Sequence, residues 1–387
     1  MIGRRDCGNP LLEVAPMMEW TTPHFRHLLR LISKKTVLYT EMVVDDTIIH
    51  AKNIDKFVGR YDSGFPSVIQ IGGSNPETLG QASEILQQYG ISGDHYQEIN
   101  LNCGCPSNKV SSRCFGAKLM LKPALVREIV SSMCRRTSCP VTVKCRLGVM
   151  NHRDTYEDLV EFITEAHAGG ATKFIVHARD CVLEGLSTKQ NREIPPLRYH
   201  EIERLRREFP DLTFILNGGV QTIDEALQHM GRFVADEEGG DDETKLFPHG
   251  VMVGRAVWRN PLMLAEVDPK VYGCRWDDEL TRRRIIEQYG EFCDKVDDNM
   301  DDYESEHVSQ AHSSPASIKI ARRRSLVECT ANIFTGVRGN KEYSKRLRNM
   351  DNCASVADHL ADALHVFPDC VLDEPLNAGA RDLSEVD

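Results

Sequence analysis

The sequence of 387 residues contains no apolar run near the roughly 20 residues that a membrane-crossing helix needs, so no segment is expected in a bilayer. Its thirteen cysteines include no C-x-x-C pair. That absence, with the odd count, argues against a zinc ribbon or a disulfide framework and suits reduced thiols in the cytoplasm. Cys103 and Cys105 make a C-x-C without a second ligand pair, and no metal is expected there. The charged start (Arg4, Arg5, Asp6) leads into no apolar core long enough for a secretory signal, and none is expected. No G-x-G-x-x-G follows the first strand pattern, which counts against an open dinucleotide-binding sheet. Excess positive charge is missing too. The net charge is −11, at first sight wrong for a protein that handles nucleic acid.

The deficit is local. Residues 236–243 carry six acids and no base, and residues 291–306 carry eight acids and only Lys295. Both read as acidic surface loops, the second running into an insertion at 297–316. Residues 318–350 hold nine basic residues, Lys341 and Lys345 among them, against Glu328 and Glu342. A basic tract standing apart in an acidic chain is a candidate nucleic-acid surface.

Hydrophobic periodicity gives the architecture. Short, β-branched runs at 11–15, 37–42, 67–71, 98–102, 141–145, 174–177, 214–217 and 251–253 alternate with amphipathic segments. Thr21 or Thr22 followed by Pro23 opens one helix, and Asn75-Pro76-Glu77 opens another that Gly90 closes. Eight such units in roughly 250 residues predict an α/β fold, a (β/α)8 TIM barrel, over residues 1–275. A doubly wound open sheet is the alternative. Beyond Gly273 no strand signal appears, and 277–294 and 317–370 read as helices, so residues 276–387 are expected to form a helical domain.

The chain is organised around residues 97–121, QEINLNCGCPSNKVSSRCFGAKLML. Ile99 and Leu101 share one strand face; Glu98, Asn100 and Asn102 share the other. The strand breaks at Cys103-Gly104-Cys105-Pro106, where Gly104 relaxes the backbone and Pro106 pushes Cys105 towards extended geometry. Ser107 and Asn108 are placed to cap the next segment. The outcome is a thiol on a stiff turn just past a strand end. This Asn-x-Gly-Cys-Pro setting resembles the signature of the tRNA-dihydrouridine synthases, flavin enzymes that saturate the C5–C6 bond of tRNA uridines. The resemblance implies that Cys105 is the acid that protonates the base. Cys103 stands where that family usually has an apolar residue.

In a barrel the chemistry gathers where strands end. Gln70 carries an amide that can donate and accept towards a pyrimidine-like edge. Lys144 supplies a cation within a barrel wall, suited to an anionic reduced flavin. His177 and Arg179 end the sixth strand. Asn217-Gly218-Gly219 and Gly254-Arg255 are glycine turns after strands seven and eight, the usual barrel site for a phosphate-bearing cofactor.

The resemblance extends along the whole barrel. It implies a tightly bound FMN at Pro16, Met17, Met18, Gln70, Lys144, His177, Asn217, Gly218, Gly219, Gly254 and Arg255, with NADPH as reductant. Residues 185–197, GLSTKQNREIPPL, resemble the loop of the subfamily that modifies uridines 20 and 20a, which implies that Lys189 and Arg192 contact tRNA. Asn102 is a candidate to hold the target base. Lys341 and Lys345 represent the basic tract as a tRNA surface. The protein is expected to be a cytoplasmic monomer. Two other readings share the pattern: a flavin dehydrogenase of a free pyrimidine, which needs no basic appendage, and a flavin-less barrel that only binds RNA, which would be colourless.

Overall fold

The computed structural model describes residues 11–59, 65–91, 97–107, 115–231, 246–307, 315–350 and 355–377. Asn108, the acidic run 236–243 and residues 308–314 lie outside the described residues. Two compact units are present: Met1–Pro23 with Lys35–Ala256, and His24–Lys34 with Val257–Asp387.

All eight expected strands form: β1 (Leu11–Val14), β2 (Val37–Val44), β3 (Ser67–Gly72), β4 (Glu98–Asn102), β5 (Val141–Arg146), β6 (Lys173–His177), β7 (Thr213–Asn217) and β8 (Gly250–Val253). They are parallel and close in sequence order into a barrel, β8 pairing with β1. The α/β barrel is therefore the observed fold, and the open sheet is excluded. A Cβ on Gly250 would collide with the carbonyl oxygen of Leu11, so closure requires glycine at that position. The helix expected to open at Asn75-Pro76 does so, but its α-helical hydrogen bonding ends at Leu86 and not at Gly90. In α3 (Pro76–Leu86) the Asn75 side chain accepts from the Glu77 amide, and α5 (Tyr156–Ala168) opens on a capping box of Thr155 and Asp158. In the same numbering, α1 is Pro23–Ile32, α2 is Asp45–His50 and α4 is Pro123–Arg136.

Inside the barrel, Ala15, Tyr39, Val68, Ile175, Ile215 and Met252 form an apolar cluster. At the start of β6, Lys173 pairs with Glu13 of β1 at 2.7 Å and with Glu98 of β4 at 2.8 Å. Neither strand neighbours β6, so these side chains cross the barrel interior. Burial opposes the charge on Lys173, but the two carboxylates outweigh it and raise its pKa. Burial likewise pushes the Glu13 carboxyl up.

The second unit is helical in its described residues. Phe25 of α1 meets Trp258 edge-on at 4.9 Å, and His27 stacks on Phe292 at 3.8 Å, which is why α1 clusters with the later helices. The next long helix, α6 here (Arg282–His307), runs through the stretch expected to be an acidic loop from 297. No glycine or proline interrupts 291–307, and Asp297 is buried as an ion-pair anchor. Its carboxylate takes Arg322 Nε at 2.9 Å and Arg323 Nε at 2.7 Å from α7 (Pro315–Val327). The unit continues with α8 (Asn340–Arg348) and α9 (Val356–Leu364), closed by Phe334 stacked on Phe367 at 4.1 Å. No helix among the described residues is long and apolar enough to cross a membrane.

Candidate active site

An amide ladder joins three adjacent strands at the C-terminal end of the barrel. Asn102 Nδ2 donates to Gln70 Oε1 at 2.8 Å, Gln70 Nε2 to Asn100 Oδ1 at 2.8 Å, and Asn100 Nδ2 to Thr142 Oγ1 at 3.0 Å. The top rung holds the cysteine turn. Asn102 Oδ1 accepts from the backbone N–H of Gly104 at 3.1 Å and of Cys105 at 3.0 Å. Both amides read from the sequence as ligand-facing thus also have structural partners, and one Asn102 N–H is left over.

The turn is held on its other side by Arg146, whose Nε donates to the Gly104 carbonyl at 3.0 Å. Cys103 is fully buried and packs as the apolar residue it replaces. Cys105 is half-buried, with its carbonyl accepting from Ala117 N–H at 3.0 Å. Burial pushes the Cys105 thiol up, against a backbone bond at Ser107 and the nearby Arg146, Lys144 and Arg192. The group is therefore a protonated thiol at neutral pH.

Lys144 of β5 reaches past β6, and its Nζ donates to Asn217 Oδ1 at 3.0 Å. Asn217 Nδ2 donates onward to the Met252 carbonyl at 2.8 Å. Burial, with the Arg146 charge, lowers the Lys144 pKa to about 8. His177 is neutral, because burial and then Arg146 and Lys144 hold its pKa well below the usual imidazole range. Its Nδ1 is buried without a hydrogen-bond partner. Beside it Gly218 and Gly219 have φ of 108° and 86°. A side chain at Gly219 would strike the Tyr199 hydroxyl, which donates to the Gly218 carbonyl at 2.8 Å. A Cβ on Gly254 would meet Ala15 Cβ at 3.5 Å and Met17 Sδ at 3.8 Å, so the turns after β8 and β1 adjoin. Met17 is partly buried against the barrel core and Met18 is exposed. An orphaned imidazole nitrogen, an ammonium with one side-chain partner and a glycine turn fit a flat, polar, phosphate-bearing group such as FMN.

The loop after β6 carries Lys189, exposed, and Arg192, half-buried. Arg146 Nη1 fixes it by donating to the carbonyls of Asp180 at 2.9 Å and Asn191 at 3.0 Å. Asn191 is itself buried, with Oδ1 accepting from Val182 N–H at 2.7 Å. Arg255 Nη1 meets Glu193 Oε1 of this loop at 2.9 Å. The structure thus brings Cys105, Asn102, Gln70, Lys144, His177, Asn217 and Arg192 to one end of the barrel. Lys341 and Lys345 belong to the second unit, exposed on α8. Arg146 and Asn191, which hold the cysteine turn and the loop after β6, were missed by the sequence reading. The i, i+2 spacing of Arg146 from Lys144 placed it on the same strand face. Asn191 gave no signal within a polar loop.

Known proteins resemble this chain over most of its length. A family model described as dihydrouridine synthase matches residues 13–320. A tRNA-dihydrouridine(20/20a) synthase of Pseudomonas putida is 44% identical over 260 residues, 67% of this chain and 71% of that protein. The protein of that name from Vibrio cholerae is 43% identical over 263 residues, 68% of this chain and 73% of its own. One from Synechocystis is 42% identical over 264 residues, 68% and 72% of the two chains. With its Cys105 turn, amide ladder and glycine turns in one barrel mouth, the chain belongs to the dihydrouridine synthase family.

Proposed function

We propose that this chain reduces uridine to 5,6-dihydrouridine in the D-loop of tRNA, at positions 20 and 20a, with FMN as bound cofactor and NADPH as reductant. The carrying observation is the Cys105 thiol, fixed by Asn102 and Arg146 and kept protonated by burial. FMN would be held by Lys144, His177, Gln70, Asn217 to Gly219, Gly254-Arg255 and the turn Pro16 to Met18. When bound and reduced, it supplies the hydride that reaches uracil C6.

Cys105 delivers the proton to C5, so that one hydride and one proton saturate the double bond. The spare Asn102 N–H is the candidate contact to a carbonyl of the base. The target uridine must leave its stack to reach this end of the barrel. Lys189 and Arg192 would take phosphates beside the mouth, and Lys341 and Lys345 others on α8.

The test is incubation of the purified protein with unmodified tRNA and NADPH, followed by mass mapping. The expected result is a gain of two hydrogens at uridine 20 or 20a. A yellow protein whose flavin NADPH reduces, yet which leaves every tRNA uridine unchanged, would overturn the assignment.

A further inference from the structure

Ile194 is the most exposed large apolar side chain among the described residues, at 59%. It stands in the loop after β6, at the end of the barrel that carries Cys105. An isoleucine exposed by chance needs no explanation, but one held rigidly in water does. The backbone on both sides of Ile194 is tied down. Arg179 Nη1 donates to the carbonyl of Glu193, at 3.4 Å, and to that of Pro195. The Glu193 carboxylate meets Arg255 at 2.9 Å. The Ile194 N–H donates to the Gln190 carbonyl at 2.8 Å. Pro195, which is buried, follows directly and favours extended geometry at Ile194. A β-branched side chain on such a backbone has few rotamers left to lose on binding. Two arginines thus help to fix an apolar side chain in solvent.

Its surroundings indicate what covers it. Arg255 belongs to the segment after β8, and Gly254 before it adjoins Met17 of the turn after β1. That turn carries Met18, the other strongly exposed apolar side chain. Phe57 and Phe247 are less exposed and lie in segments that precede β3 and β8. Strong apolar exposure therefore gathers on loops around the barrel mouth, in company with the cations Lys189 and Arg192. A nucleotide of an unpaired RNA loop matches that pairing, its base on the apolar side chain and its backbone on the charge. Resting on the activity proposed above, we propose that Ile194 packs against a base flanking the target uridine and holds it once that uridine has left the stack. A uridine turned into the barrel leaves each neighbour with an uncovered face. Ile194 covers one such face, as apolar wedges do between parted base steps. The contact lies outside the chemistry at C5 and C6 and acts by favouring the turned-out state.

The experiment is a double-mutant cycle on kcat/KM of the flavin-loaded enzyme for tRNA. Wild type, Ile194→Ala and Ile194→Leu are each given three transcripts: one intact, one lacking the base on the 5′ side of the target uridine, and one lacking the base on its 3′ side. On the intact transcript Ile194→Ala is expected to lose about tenfold, and Ile194→Leu to recover most of that loss. The unfolding midpoint of Ile194→Ala should match wild type, because the side chain is exposed. On one of the two abasic transcripts wild type and Ile194→Ala should be equal, since the partner of Ile194 is gone. No loss on the intact transcript, or the same loss on all three, overturns the inference. So does a lowered midpoint that accounts for the loss, which would make Ile194 a structural residue. Wild-type protein that leaves the intact transcript unreduced would defeat the proposed activity itself, and this contact with it.

Discussion

Lys173 and Lys144 are two lysines inside one barrel, and their surroundings are opposite. Lys173, at the start of its strand, sits between Glu13 and Glu98 and has a raised pKa. Lys144, near the end of its strand, has one amide oxygen for a partner and a pKa lowered to about 8. The chain neutralises its own charge at one level of the barrel and leaves charge uncompensated at the other. A buried cation without a carboxylate costs stability, and a fold keeps it where a ligand recovers that cost. The unpartnered His177 Nδ1 at the same level points the same way.

The closed and open arrangements can be separated most sharply at the two cysteines of the turn. Cys103 is fully buried and Cys105 is half-buried. Replacing Cys105 with alanine should lower the single-turnover rate of the reduced enzyme with tRNA by about 10²–10⁴-fold, the usual worth of a general acid, while FMN and tRNA still bind. Cys103→Ala should stay active. Equal loss in both variants would make the turn a structural element and remove the acid from Cys105.

At the closed level the expected effect is on stability. Lys173→Met leaves Glu13 and Glu98 facing each other without a cation, and should cost about 3–5 kcal/mol in urea unfolding. Folded protein that remains should keep its FMN. Lys144→Met should do the reverse, with little loss of stability and a large loss of FMN affinity. If Lys173→Met also emptied the flavin site at equal folding, the two levels would be one coupled network.

A smaller effect, on pH dependence, arises from the same pair of sites. As pH rises, Lys144 loses its proton near pH 8, whereas burial keeps Cys105 protonated beyond the ordinary thiol range. The affinity of the flavin-free protein for FMN should therefore weaken as pH rises past about 8. In Lys144→Arg that limb should vanish, because a guanidinium keeps its charge across this range. A limb that stays in place in Lys144→Arg would belong to another group.

Most of the barrel was legible in the sequence because a strand declares itself locally, through β-branched runs bounded by turn residues. The strand-end residues Gln70, Lys144, His177 and Asn217 were legible for the same reason, since topology puts strand ends together. Arg146 was not, because it acts by donating to carbonyls of Gly104, Asp180 and Asn191, and a backbone acceptor leaves no mark on a sequence. The Lys173 network was hidden because Glu13 and Glu98 are brought to it only by closure of the barrel. The acidic stretch misled for a different reason. Its charge suggested a solvated loop, but helix α6 continues to His307, with Asp297 turned inward onto two arginines.

That last pairing repeats the contrast of spent and open charge in the second unit, and it divides the basic tract in two. Arg322 and Arg323 are about nine-tenths buried against Asp297, with side-chain exposures of 10% and 11%. Lys341, Lys345 and Arg348 lie exposed along α8, at helical spacing that puts them on one face. Lys345 is 72% exposed, and its contact with Glu342 is a loose 4.0 Å, worth little in water. Of these five, only the second set is available for phosphates. Replacing Lys341 and Lys345 together with alanine should weaken tRNA binding modestly, and should flatten the dependence of log affinity on log salt by about 0.7–0.9 for each phosphate no longer neutralised. Reduction of the flavin by NADPH without tRNA should be unchanged. Arg322→Ala should instead lower the unfolding midpoint, because it strips a partner from a buried carboxylate, and folded Arg322→Ala protein should keep the wild-type salt slope. If Arg322→Ala flattened the slope and the lysine pair did not, the RNA surface would lie on α7, and the exposed face of α8 would be left to solvent.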